Sequence, residues 1–169
     1  MNYSLSDADI LMLRPTAKFT PYSSIKYMKS IHDILSPQGE AFILYQTTPT
    51  YGHWTTLFVR DGKLSYFNSY GKEPDDDLNM IDPKMRRILN EVEPHLFELM
   101  AKSGYQCEYN DVCVQKPHVA TCGRHCAVRI LNKDLTPDQY IKNLFATAKA
   151  LKTDTDGVVV ELTRNKLGI

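Results

Sequence analysis

The sequence of 169 residues predicts an α+β fold, with helices on both faces of a small, mostly antiparallel central sheet. An apolar run at residues 41–46 has the composition of a strand that is buried on both faces. The dipeptide Asp61-Gly62 joins two β-rich runs and is a strong signal for a two-residue hairpin turn. Apolar residues at helical spacing follow Cys122 and again follow Thr136, which predicts helices after the strands.

The N-terminal part of the chain predicts two helices ahead of the first strand. Ser6 and Asp9 form a capping-box pattern that opens a short helix ending near Leu13. Thr20 and Pro21 then place a cap and a first-turn proline before an amphipathic helix. Its apolar stripe would consist of Ile25, Met28, Ile31 and Leu35.

The hairpin predicted around Asp61-Gly62 pairs residues 53–60 with residues 63–69. A polar, turn-rich stretch follows, and then helical segments at residues 84–89 and 94–102. Gly104 is expected to cap the second of these segments.

Three further elements are predicted in the C-terminal part. Residues 105–114 alternate enough in polarity to be a strand, in which Cys107 and Cys113 are expected as buried thiols. A cap pattern from Thr136 opens a helix that turns Tyr140, Leu144 and Ala148 inward. Residues 157–163 fit a strand or a helix equally well.

Length and composition predict one domain, residues 1–169, with a globular core: 43% of the residues are hydrophobic and 24% are charged. Lysines and arginines together number 20, as do aspartates and glutamates, so net charge gives no support for a nucleic-acid partner. No signal peptide is expected at the start of the chain, and no apolar run approaches the ~20 residues of a membrane helix. The four cysteines are therefore expected to be thiols in a reducing compartment.

Cys122 is the first candidate for chemistry. It would lie in the first turn of the predicted helix, where unpaired backbone N–H groups stabilise a thiolate and lower the pKa of the thiol. Gly123 beside it would leave the thiol open and permit a tight entry into the helix. A buried structural cysteine is the alternative, and Cys126, one turn further on, matches that description.

A cysteine nucleophile needs a base and a group that orients the base. Of the five histidines, His53 stands at the mouth of the hairpin, where a side chain is reachable. The predicted register makes Asn68 its diagonal neighbour on the same face, roughly 7–8 Å away along the backbone, so its carbonyl can hold the imidazole. The alternative is that Asn68 only ends the strand. Gln115, seven residues before Cys122, can supply an oxyanion donor or can be an ordinary surface residue.

Together these motifs resemble the adenovirus-type maturation proteases, in the clan that also contains the SUMO-specific proteases. The motifs that carry the resemblance are Gly52-His53-Trp54, Tyr66-Phe67-Asn68-Ser69-Tyr70-Gly71, Gln115 and Thr121-Cys122-Gly123-Arg124-His125-Cys126. The resemblance spans about residues 5–145 and implies a cysteine-protease fold of this type. It implies Cys122 as nucleophile, His53 as base, Asn68 as orienting residue and Gln115 as oxyanion donor, with Trp54 narrowing the substrate cleft.

The resemblance also implies an activity. We expect a viral cysteine endopeptidase that cleaves capsid or core precursors after Gly-Gly or Gly-Xaa pairs. It would act as a monomer on protein substrates, at assembly sites in the host cytoplasm or nucleus, and would be packaged in the virion. The family more often has Asp or Glu where this chain has Asn68. No cofactor is expected, and neither the activating peptide nor the DNA of the adenovirus enzyme is carried over.

Three alternatives remain open from the sequence. A protease that removes ubiquitin or SUMO modifiers would use the same chemistry, and so would a cysteine-dependent acetyltransferase of the same clan. A zinc site would draw on Cys107, Cys113, Cys122, Cys126 and His125. That spacing departs from the usual Cys-x2–4-Cys pairs and leaves His53 and Gln115 unexplained, so no metal ligand is predicted.

Overall fold

A computed structural model describes residues 4–167 and is built around one five-stranded sheet whose strands lie side by side in chain order. The strands are β1 (Lys18–Pro21), β2 (Glu40–Thr48), β3 (Tyr51–Arg60), β4 (Lys63–Phe67) and β5 (Gln106–Tyr109). The two inner pairings are antiparallel and the two outer pairings are parallel, so the sheet is mixed. The predicted α+β class is confirmed.

The helices flank this sheet. They are α1 (Asp7–Leu13), α2 (Pro83–Ile88), α3 (Leu96–Lys102), α4 (Cys122–Leu131), α5 (Pro137–Ala150) and α6 (Thr155–Leu167), with 3₁₀ turns at Tyr22–Tyr27, Ile31–Asp33 and Asp76–Met80. Predicted capping boxes are present at Ser6 and Thr136, where each side chain accepts a hydrogen bond from the backbone N–H three residues on. No helix within residues 4–167 combines the length and apolar character needed to cross a bilayer.

The amphipathic helix predicted after Pro21 is wrong. Residues Lys18–Pro21 form β1, paired in parallel with β2, and two short 3₁₀ turns follow in place of the helix. The Asp33 carboxylate accepts hydrogen bonds from the backbone N–H groups of Lys29 and Ser30 at 3.0 and 3.1 Å, which ends helical bonding between the two turns. The apolar residues predicted for the stripe still reach the core.

Two C-terminal predictions are resolved. The strand predicted over residues 105–114 is confined to Gln106–Tyr109. At Asn110, a side chain rather than the backbone forms the hydrogen bonds to the segment that follows β4. The Asn110 amide accepts from Asn68 N at 3.2 Å and donates to Asn68 O at 2.9 Å. The segment that fitted a strand or a helix equally is helical and belongs to α6.

The hairpin register is the predicted one, with Arg60 opposite Lys63 and Thr56 opposite Phe67. Because neighbours along a strand point to opposite faces, the sheet has a core on each side. One core contains Ile43, Leu57 and Tyr66 beneath the 3₁₀ turns and α3, and the other contains Phe42, Phe58 and Phe67 beneath α4, α5 and α6. Helices on both faces of the sheet are thus confirmed.

Candidate active site

Cys122 is the first residue of α4, directly after Thr121. The thiol is half-buried, and its sulfur accepts a hydrogen bond from the backbone N–H of Trp54 at 3.4 Å. The start of the helix therefore meets the start of β3, which is where His53 lies. The sequence-predicted position of Cys122, in the first turn of a helix, is the observed one.

His53 is 9% exposed and lies opposite Tyr45 in the sheet. Its Nε2 is 3.0 Å from Asn68 Oδ1, so the pair predicted from the hairpin register is in contact. The ring of Tyr70 stacks on the imidazole, with a centroid separation of 4.8 Å and an interplanar angle of 23°. The hairpin and the residues directly after it thus bring the His53 imidazole, the Asn68 amide and the Tyr70 ring together.

The thiol and the imidazole shift one another's acidity. Burial acts to raise the pKa of Cys122. A hydrogen bond and a charge interaction with His53, together with hydrogen bonds from the backbone N–H groups of Trp54 and Gly123, outweigh burial and lower that pKa below its usual value. Burial acts to lower the pKa of His53, but interactions with Cys122, Asp77 and Asn68 raise it above its usual value. Both directions favour a thiolate beside an imidazolium.

The hydrogen-bond network fixes the state of the imidazole. The backbone N–H of Tyr70 donates to Asn68 Oδ1 at 2.9 Å, and Asn68 Nδ2 donates to Asp77 Oδ2 at 2.5 Å. Asn68 Oδ1 is an acceptor, so His53 must donate to it from Nε2. Nδ1 is then left to accept the proton of the Cys122 thiol.

Gln115 is buried next to these residues, and its amide is fully bonded. Its Oε1 accepts from Ser69 Oγ at 2.5 Å, and its Nε2 donates to Val119 O and, at 3.3 Å, to Tyr70 Oη. The longer bond to Tyr70 is the weaker of the two donor contacts. The alternative of an exposed surface glutamine is wrong, since only 3% of the residue is exposed.

Trp54 is 5% exposed and packs between β3 and α4, on the face of the strand opposite His53. Its indole N–H donates to Leu5 O at 3.2 Å, and its ring meets Phe19 edge-on. Gly123 contacts it closely: a Cβ added at this glycine would lie 3.1 Å from Trp54 Cδ1. The structure therefore gives Gly123 a packing role in addition to the steric access predicted for it.

Two carboxylates that support the site were missed from the sequence. Asp77 binds Asn68, and Asp156 binds the segment before the helix: its Oδ1 accepts from Thr121 Oγ1 at 2.5 Å and lies 2.9 Å from His125 Nε2. The other oxygen of Asp156 accepts from Lys116 N at 3.0 Å. No local pattern marks either aspartate, because the contacts join distant parts of the chain.

The remaining cysteines lie in different surroundings. Cys126 is fully buried, as expected, and burial raises its pKa well above the usual value. Cys107 and Cys113 are exposed, so the expectation that both are buried strand thiols is wrong. Within residues 4–167 no three His, Cys, Asp or Glu side chains are grouped in a way that could hold a metal ion.

No protein-family model matches the chain, but comparisons with known proteins find a related sequence and similar solved structures. "Uncharacterized protein V9" of Sputnik virophage is 35% identical over 164 residues, which covers 95% of this chain and 94% of that protein. A solved structure described as "SUMO protease Ulp1 with the catalytic cysteine oxidized to a sulfinic acid" aligns at 12% identity with a TM-score of 0.35. That alignment covers 95% of this chain and 78% of the solved one.

Proposed function

The chain belongs to the protein family of V9 from Sputnik virophage, and we propose that it is a cysteine endopeptidase. The observation that carries this proposal is the alignment of three side chains at the start of α4: the half-buried Cys122 thiol, the His53 imidazole and the Asn68 amide. Acyl transfer through a thiolate requires a nucleophile, a base and a group that orients the base.

In the proposed reaction the Cys122 thiolate attacks the carbonyl carbon of the scissile peptide bond. A C–S bond forms, and the carbonyl electron pair moves onto oxygen. As this intermediate collapses, the C–N bond breaks and the Nδ1 proton of the His53 imidazolium passes to the leaving amine. Neutral His53 then takes a proton from water as the water oxygen attacks the thioester, and the C–S bond breaks to restore the thiolate and the imidazolium.

The developing oxyanion would be held by the backbone N–H of Cys122 and by Gln115 Nε2. The contact between Gln115 Nε2 and Tyr70 Oη, at 3.3 Å, is the one that a substrate oxygen would replace. The bond from Nε2 to Val119 O keeps the amide in place while this exchange occurs. A Tyr70 ring that covers one side of His53 also limits the room for a bulky residue beside the scissile bond.

The proposed substrates are viral capsid or core precursors, cleaved after Gly-Gly or Gly-Xaa. Trp54 is buried on the face of β3 opposite His53, so it would support the cleft from the core side rather than line it as the resemblance implies. The family relationship to a virophage protein supports the viral setting. The preference for glycine follows from the resemblance of the site motifs to the adenovirus-type proteases. We place the enzyme at sites of virus assembly in the host cell and in the virion.

The test uses a peptide that ends in Gly-Gly and carries a thiol-reactive electrophile in place of the scissile bond. We expect one adduct per chain at Cys122, located by peptide mass spectrometry, and at least a tenfold slower reaction in His53→Ala. The same variant should lose cleavage of a matching Gly-Gly peptide.

Cys113→Ser is the matched control, because Cys113 is also a thiol near the site but is exposed and lies outside the proposed dyad. It should label and cleave like the wild type. Labelling of Cys122 that is unaffected by His53→Ala, or absence of any labelling at Cys122, would overturn the proposal.

A further inference from the structure

A buried carboxylate lies behind the neutral residue that orients His53. Asp77 is 5% exposed, and its Oδ2 accepts the 2.5 Å hydrogen bond from Asn68 Nδ2. Asn68 itself is fully buried, and its Oδ1 contacts His53 Nε2. The chain from imidazole to amide to carboxylate is therefore continuous and largely out of contact with water.

The direction of each hydrogen bond in this chain is determined by Asp77 at one end. An ionised carboxylate only accepts, so the amide nitrogen of Asn68 must face it. The backbone N–H of Tyr70 only donates, so the amide oxygen must face Tyr70 and His53. Both neighbours impose the same orientation, which prevents the amide from flipping and presenting its N–H₂ group to the imidazole.

The charges around Asp77 point to an effect on His53 as well. The titratable groups that interact with Asp77 are His53, Lys72, Asp76, Tyr66, Tyr70 and Cys126. Of these, His53 and Lys72 are the ones that can be cationic, and Lys72 is partly exposed. Burial raises the pKa of Asp77, while the charges of His53 and Lys72 act to lower it. In a buried setting the attraction between Asp77 and an imidazolium is weakly screened.

We propose that Asp77 is a positioning residue that acts on His53 through Asn68. Its carboxylate locks the amide and supplies the negative charge that Asn68, as a neutral orienting residue, lacks. The carboxylate therefore stabilises the His53 imidazolium across one amide, and no proton reaches Asp77 during the reaction. This inference rests on the proposed function, since it assigns Asp77 a place in the protease site.

The test compares three variants. Asp77→Asn removes the charge with little change in shape. Asp76→Asn removes a charge from the adjacent, exposed residue and is the matched control. The double variant Asn68→Asp, Asp77→Asn exchanges the two groups, so that one carboxylate, one amide and the donor–acceptor pairs are retained while the charge moves next to His53.

The first readout is the pKa of His53 by NMR titration of the imidazole, in a Cys122→Ser background, which requires no substrate. We expect Asp77→Asn to lower this pKa by about one unit, because a nearby negative charge favours the imidazolium. Asp76→Asn should leave it within about 0.2 units, and the exchanged variant should hold it at or above the starting value.

The second readout is cleavage of the Gly-Gly peptide with the native Cys122. Asp77→Asn should lower kcat about tenfold with little change in KM, and should move the alkaline limb of the pH profile to lower pH. The exchanged variant should recover most of kcat. A purely structural role would instead lower the midpoint of thermal unfolding without moving the His53 titration.

The outcomes separate the two proposals. If the wild type neither labels nor cleaves, the protease proposal fails, but the His53 titration still decides the role of Asp77. If the wild type cleaves while Asp77→Asn and Asp76→Asn behave alike, the Asp77 proposal fails and the protease proposal stands. If Asp77→Asn does not fold, the exchanged variant decides alone. Its carboxylate at position 68 lies closer to the His53 ring than Asp77 does, so the proposal requires the pKa of His53 to stay at or above the starting value. A lower pKa overturns the proposal.

Discussion

Cys122 and Cys126 lie one helical turn apart, yet their surroundings shift their acidity in opposite directions. Burial raises the pKa of Cys126 well above the usual value, and the charges of Cys122 and Asp77 act in the same direction. Burial acts in the same direction on Cys122, but His53 and two backbone N–H groups reverse the result. The partners of Cys122 lower the pKa of its thiol and the thiol is partly exposed, whereas Cys126 has neither property.

This difference predicts a pH profile for alkylation. With iodoacetamide and site-resolved mass spectrometry, Cys122 should stay reactive at lower pH than Cys107, whose pKa is raised by burial. In His53→Ala the burial of Cys122 is opposed only by the backbone N–H groups of Trp54 and Gly123, so the pKa of the thiol rises and its alkylation curve moves to higher pH. Cys107 is the internal reference and should not move. Coincident curves for the two thiols in the wild type would contradict the assignment.

Gln115 provides a second prediction for a single residue. Gln115→Ala should lower kcat about a hundredfold with little effect on KM, because an oxyanion donor acts chiefly in the transition state. Ser69→Ala is the matched control: it removes the hydrogen bond between Ser69 Oγ and Gln115 Oε1 and keeps the amide donor. Its kcat should stay within about threefold of the wild type. An equal loss in both variants would mean that Gln115 matters only for packing.

Helix α4 is positioned by close packing on β3. Gly123 has no side chain where Trp54 Cδ1 and Leu5 Cβ approach, and an added Cβ would lie 3.1 and 3.3 Å from them. Trp54 has little freedom to withdraw, since its indole is bonded to Leu5 O and packed on Phe19. Trp54 also fixes the position of the Cys122 sulfur relative to β3, because its backbone N–H donates a hydrogen bond to that sulfur.

Gly123→Ala should therefore lower the free energy of unfolding by about 1 kcal/mol, although alanine is the better helix former. Urea unfolding gives the measurement. In a Trp54→Val background no δ carbon remains to meet the new methyl group, so the loss should shrink by at least half. An equal loss in both backgrounds would show that the contact with Trp54 is not responsible.

Across the whole molecule, Glu40 joins segments that are distant in the sequence. The residue is 1% exposed, and its carboxylate accepts hydrogen bonds from Arg14 Nη2 at 2.6 Å, Thr16 Oγ1 at 2.5 Å and Lys133 Nζ at 2.9 Å. Burial acts to raise the pKa of Glu40, but these donors outweigh it and lower the pKa to about 2. The buried Glu40 carboxylate thus links the start of β2 to the loop after α1 and to the residues just after α4.

This carboxylate predicts how stability depends on pH. The folded-state pKa is lowered, so the stabilisation is fully present above the unfolded pKa of about 4.3 and is lost as pH falls toward about 2. Glu40→Gln should lower the free energy of unfolding at pH 7 by about 2–3 kcal/mol, and its unfolding should be less sensitive to acid between about pH 4 and 2.

Chemical denaturation at pH 7, 4 and 3 tests this expectation. Glu98→Gln is the control, because Glu98 forms an exposed ion pair with Lys102 at 2.6 Å and should have no measurable effect. Equal acid sensitivity of the wild type and Glu40→Gln would show that Glu40 is not the group that titrates.

The sequence by itself determined the features that short-range interactions control. The caps at Ser6 and Thr136, the Asp61-Gly62 turn and the first turn of α4 each depend on residues within a few positions of one another. The hairpin turn fixes the strand register, and the register alone places His53 and Asn68 on the same face. The place of Cys122 in the first turn of a helix and the contact between His53 and Asn68 could therefore be predicted without coordinates.

Only the tertiary structure decided which buried carboxylates hydrogen-bond to the residues of that site. Asp77 contacts Asn68, and Asp156 contacts Thr121 and His125, through bonds that have no periodicity or turn signal in the sequence. The segment after Pro21 likewise has the apolar spacing of a helix, but strand pairing with β2 and the Asp33 side chain divert its backbone. Local patterns specify which conformations are available, whereas burial of charge and pairing between distant segments select among them.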